Sequence, residues 1–96
     1  PTFNDENRDT WTPEMVQNAQ EWVKETLVLM GKPDINVTPQ VSNNYLKLSL
    51  DNQVSDDIRH EETQLKSWGM LAMEAVREKM GKPLRSLRIV LESPRS

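Results

Sequence analysis

Residues 65 to 91 read LKSWGMLAMEAVREKMGKPLRSLRIVL, and within this stretch the hydrophobic period changes once, from helical to extended. Leu65, Trp68, Leu71, Ala72, Ala75, Val76 and Met80 recur in steps of three and four. Met70 and Met73 broaden the stripe, and Lys66, Glu74, Arg77 and Glu78 mark a wet side. After Gly81-Lys82-Pro83, which stops a helix, Leu87, Ile89 and Leu91 alternate with Ser86, Arg88, Val90 and Glu92, the period of a strand. A long helix therefore feeds a closing strand. Gly69 costs about 1 kcal/mol against alanine inside a helix, which predicts close approach of another element at that point.

Working upstream, Thr12 is a good N-cap, Pro13 suits a first helical position, and Trp11 is placed to pack on Val16 as a staple. Met15, Ala19, Trp22, Val23, Leu27 and Met30 then form one apolar stripe, and Gly31 and Pro33 end the helix. Ile35, Val37 and Val41 alternate with polar residues, and Pro39, which has no donor for a ladder, assigns this strand to a sheet edge or a bulge. Ser42-Asn43-Asn44 is turn chemistry, and Leu46, Leu48 and Leu50 share one face of a second strand. Residues 55 to 63 admit two readings: a short helix and turn before the main helix, or one helix from about Asp57 to Met80. The tetrapeptide Met30-Gly31-Lys32-Pro33 recurs as Met80-Gly81-Lys82-Pro83, the same helix stop used twice rather than a duplication.

The order helix-strand-strand-helix-strand predicts an α+β fold: a three-stranded mixed sheet covered on one face by two helices. The first two strands form a hairpin. The long helix makes the connection to the last strand a right-handed crossover, with the second strand central. We expect a disordered segment over residues 1–11, one domain over 12–93 and a disordered tail over 94–96.

Composition narrows the function. With 96 residues there is one small core and little apolar surface to spare for a deep ligand cavity. The absence of cysteine and the single histidine exclude disulfides, thiolate metal sites and most triad chemistry, so no cofactor and no metal are expected. No apolar run is long enough to span a bilayer, and the acidic start, Pro1-Thr-Phe-Asn-Asp-Glu, is unlike a signal peptide; the expectation is a cytoplasmic protein with no membrane partner. The net charge of −3 hides an asymmetry. Residues 1 to 65 carry 5 Lys/Arg and 12 Asp/Glu, a net of −7, whereas residues 66 to 96 carry 7 and 3, a net of +4.

The run Glu25-Thr-Leu-Val-Leu-Met-Gly31, the strand pair, Ile58, Gln64-Leu65, Trp68-Gly69, Leu71 and the strand Leu87-Arg-Ile-Val-Leu91 resemble the KH domain of the bacterial Jag (SpoIIIJ-associated) family over about Trp22 to Glu92. The resemblance implies a KH-like fold and a lineage of single-stranded RNA binders. It also departs at one place. Aligning Ile58 with the family's isoleucine puts Arg59-His60-Glu61-Glu62 where the Gly-x-x-Gly phosphate clamp belongs. Without glycine the backbone cannot come close to a phosphate, and Asp56, Asp57, Glu61 and Glu62 repel it.

Two partner classes follow, and neither needs catalysis. One is single-stranded RNA, held by another surface with Lys79, Lys82, Arg85 and Arg88 as contacts. The other is a protein partner, met through the acidic 56–62 segment or an exposed sheet edge, the latter also allowing a weak homo-oligomer. His60 among Asp56, Asp57, Glu61 and Glu62 has the makings of an acid/base cluster, but lies at an exposed helix start with no apolar pocket to tune it, so no enzyme is expected.

Overall fold

The computed structural model describes residues 10–94. The elements are α1 (Pro13–Leu29), β1 (Val37–Ser42), β2 (Tyr45–Leu50), α2 (Ile58–Met80) and β3 (Arg88–Glu92). The sheet order is β1-β2-β3, with β1 and β2 antiparallel and β2 and β3 parallel. The expected mixed α+β architecture is therefore present, with β2 central.

Helix α1 starts where its cap chemistry says it should: the Thr12 hydroxyl accepts from the Met15 amide at 3.3 Å, with Pro13 in the first turn. Met15, Ala19, Val23 and Leu27 are its buried stripe. It stops at Gly31, whose φ of +79° lets the Lys32 amide turn back to the Leu27 carbonyl at 2.8 Å. Trp11, the last residue of the segment expected to be disordered, packs on the fold. Trp11 is partly buried against the core and its Nε1 donates to the Asn44 carbonyl at 3.2 Å. Residues 1–9 of that segment, and 95–96 of the tail, lie outside the described residues.

In the hairpin, Asn43 takes the left-handed conformation (φ +55°) and the register pairs Val37 with Leu50 and Ser42 with Tyr45. The Asp51 amide donates to the Asn36 carbonyl, so by alternation Thr38, Gln40 and Ser42 face β2 while Val37, Pro39 and Val41 present their backbone outward. Pro39 thus has its missing donor on the open side of an edge strand, as its presence in the sequence required. Asn44 joins three segments. Its carbonyl also accepts from the Arg88 amide at 3.1 Å, and its Nδ2 donates to the Ser86 carbonyl at 2.7 Å, which aligns the start of β3 beside β2.

At the open end of the hairpin, Asp51 accepts from the Asn36 amide at 2.9 Å and from Asn36 Nδ2 at 2.8 Å. These hydrogen bonds, the backbone one first, hold its carboxyl below the ordinary value of 3.8. A carboxylate with a depressed pKa in the folded state contributes stability above its unfolded pKa and loses it as pH falls through the folded one. In an NMR titration the Asn36 amide is therefore expected to shift with a midpoint below 3.8. A midpoint at or above that value would break the assignment.

The open question over residues 55–63 resolves as one helix. Asp57 caps it, its Oδ1 accepting from the Arg59 amide at 2.9 Å and the His60 amide at 3.3 Å, and α2 then runs unbroken from Ile58 to Met80. It ends at Gly81 (φ +66°). Ile58, expected to be the apolar anchor of this segment, is about half exposed; the anchor is Val54 in the preceding loop, which is buried. Leu65, Trp68, Gly69, Ala72, Met73 and Val76 form the buried face of α2. Leu71 and Met70, expected on that face, stand out of it. Beyond the helix, Leu84 is buried despite a φ of +47°, and its carbonyl accepts from the Leu87 amide. On the uncovered face of the sheet, Lys47 and Glu92 form a salt bridge at 3.4 Å.

Candidate interaction groove and the closed clamp position

The four residues at the expected clamp position behave very differently from one another. Arg59 and His60 are exposed, Glu62 is exposed beside β3, and Glu61 is buried, with only 2 % of its surface accessible. The acidic run was expected to be solvated throughout, and Glu61 corrects that. Its position explains why: it lies four residues before Leu65 and seven before Trp68, on the stripe that faces the core.

Burying a carboxylate needs partners, and Glu61 has them. Oε2 accepts from the Val54 amide at 2.9 Å and the Ser55 amide at 3.2 Å, and Oε1 accepts from the Ser93 hydroxyl. One side chain thus ties the start of α2 to the preceding loop and to the end of β3. Together with Asp57, it means that amides of the loop and of the first helical turn donate to carboxylates of this same chain. A phosphate arriving here would meet occupied donors and two negative charges. The same bonds engage Asp57 and Glu61 on either side of His60. Among the described residues, no group of three or more His, Asp or Glu side chains is placed to hold a metal ion.

The surface with room for a ligand lies elsewhere. Between α2 and β3 runs an open groove of about 680 Å³. Its floor is made by Leu65, Gly69, Met73, Ile89 and Leu91, all buried, and its far lip by the exposed Arg88 and Val90. Gly69 is what lets the floor exist. A Cβ at that position would lie 2.8 Å from the Ile89 carbonyl oxygen, far inside contact distance, so the helix backbone rests against the strand backbone. The close approach expected from the sequence is made with β3.

The near wall of the groove is a ridge of α2 side chains, Glu62, Lys66, Met70, Glu74 and Arg77, spaced at three and four residues. Met70, at its middle, is 72 % exposed. Arg77 is held by its Nε, which donates to the Pro83 carbonyl at 2.7 Å. Of the four cations expected to bind nucleic acid, Arg88 lines this groove, whereas Lys79, Lys82 and Arg85 are exposed around the turn that follows α2. Lys66, Met70 and Arg77 were assigned to a wet side or a core stripe. The signal that placed them here was the glycine, because only one neighbour can sit over Gly69, and β3 does.

No family model, no curated protein and no solved structure matches this chain.

The sheet edges offer less than the sequence suggested. On β1 the outward Val37 carbonyl accepts from Gln20 Nε2 at 2.9 Å and Pro39 has no amide hydrogen, so two of its three outward positions are blunted. On β3 the Ile89 carbonyl faces Gly69. None of the described helices is long and apolar enough to cross a membrane.

Proposed function

We propose that this chain is a non-enzymatic, KH-like interaction module that holds a protein surface in the groove between α2 and β3 and has given up phosphate clamping. The observation that carries this reading is the Glu61 carboxylate, which takes up the Val54 and Ser55 amides that flank the clamp position, while Asp57 takes up those of Arg59 and His60. The KH-like lineage rests on the Jag-type sequence resemblance and on the shared element order. The groove itself combines an apolar floor with charges of both signs on its rims and no aromatic side chain on which a base would stack, a composition that suits polypeptide better than single-stranded nucleic acid. A cytoplasmic setting, taken from the sequence, belongs to the same proposal.

One observation favours a second reading. Lys79, Lys82, Arg85 and Arg88 are all exposed around one helix-to-strand turn, which makes a local positive field on an acidic chain suited to RNA phosphates.

Titration of the labelled protein with mixed-sequence single-stranded RNA at low salt separates the readings. The expected result is that the amides of residues 59–62 and of the groove do not move. Saturable shifts at those positions would overturn the proposal. Saturable shifts confined to Lys79, Lys82 and Arg85, with affinity falling linearly on a log–log salt plot, would select the second reading instead.

A further inference from the structure

We propose that the occupant of the α2–β3 groove is a second copy of this chain, docked antiparallel with Met70 at the two-fold axis. This rests on the reading of the groove as a protein-binding surface and names its partner.

The argument starts from the ridge. Read outward from Met70, the α2 row Glu62, Lys66, Met70, Glu74, Arg77 is its own electrostatic complement when reversed. Lys66 lies four residues before Met70 and Glu74 four residues after, so each is about 6 Å along the axis from the centre. In an antiparallel pair, Lys66 of one copy therefore faces Glu74 of the other. Glu62, about 12 Å before the centre, faces Arg77, about 10.5 Å after it. Among these five residues the pattern gives four opposite-charge contacts around one axis. A two-fold contact uses the same patch on both copies, and self-complementarity of this kind is what it demands.

The apolar part of the patch fits the same operation. Met70, at the centre of the ridge, is exposed and is an unbranched, adaptable side chain. Beside it lies the open groove, whose lip carries the exposed Val90. Each Met70 enters the groove of the other copy and covers that floor. The sheet edges, blunted by Gln20, Pro39 and the approach of α2, are poorer routes to self-association.

A contact limited to one helix ridge and its groove is small, so the dimer is weak and transient, with a Kd between roughly 10 μM and 1 mM. Sedimentation of the full chain up to about 1 mM is expected to show reversible dimerisation over that range. Lys66→Glu and Glu74→Lys each create two like-charge contacts across the axis and are expected to weaken the dimer about tenfold, whereas the double substitution restores it to within about twofold. Met70→Glu abolishes it. All three positions are exposed, and unchanged circular dichroism and melting confirm that the variants fold. A wild-type chain that stays monomeric, a double substitution no better than the singles, or a dimer indifferent to Met70→Glu overturns the second copy as occupant. RNA-induced shifts in the groove would instead remove the protein-binding reading on which it rests, so the two failures are told apart.

Discussion

Replacing Glu61 with alanine is expected to be strongly destabilising, lowering the stability of this protein by about 3 kcal/mol. The substitution leaves the Val54 and Ser55 amides and the Ser93 hydroxyl without the carboxylate that now accepts from them. The bonds from Val54 and Ser93 are buried, and a buried donor that loses its acceptor costs more than the bond itself contributed. For a domain of this size, ~3 kcal/mol corresponds to a fall in Tm of the order of 15 °C. Glu61→Gln tests the cause. Its amide oxygen still accepts from the two loop amides while the charge is lost, so the cost drops to about 1 kcal/mol. Hydrogen exchange supplies the local readout: the Val54 and Ser55 amides should exchange faster in the alanine variant. An alanine variant that melts within a few degrees of the wild type would mean that Glu61 does not fasten this loop.

Gly69→Ala is expected to reverse the usual sign of a glycine-to-alanine change in a helix. In open helix surface the substitution stabilises by about 1 kcal/mol. Here the new Cβ would sit 2.8 Å from the Ile89 carbonyl oxygen, and that atom is backbone in a paired strand, so it cannot swing aside. Moving α2 off β3 to make room opens the floor shared by Leu65, Met73 and Leu91. Overpacking of this kind costs about 1–3 kcal/mol, which offsets the propensity gain and leaves a net loss of about 1 kcal/mol. Gly69→Val, bulkier and β-branched, should lose about 3 kcal/mol or more. Urea unfolding gives the check: the midpoint falls while the m-value stays put. A stabilised alanine variant would show that the helix does not rest on the strand backbone.

These two residues also mark the boundary between what could and could not be read from the chain. Gly69 was legible as an approach point because a glycine in a strong helical pattern is a local cost that calls for a neighbour. Thr12, Pro13, Gly31 and Gly81 were legible as caps for the same kind of reason, and Pro39 as an edge residue, since each follows from the φ angle or donor of a single residue. Glu61 was not. Its charge says surface, and only its spacing from Leu65 and Trp68 says core. Met70 and Leu71 erred in the other direction, because a stripe of apolar residues wider than the covering elements leaves its margins in water. Counting charge singled out the cations around the turn, but not that Arg88 lines the groove while Lys79, Lys82 and Arg85 stand at the turn.

The amino-acid order by itself determined the order of the elements and most of their caps, because these depend on interactions within a few residues and on the period of the pattern, whereas the start of α2 did not follow from it. Which face each helix covers, where an acid is buried and where a methionine is left exposed were decided only when α1, α2 and β3 packed against one another. Burial is a property of the neighbours, and the neighbours here come from segments more than 40 residues apart, as the bond between Asn44 and Ser86 shows.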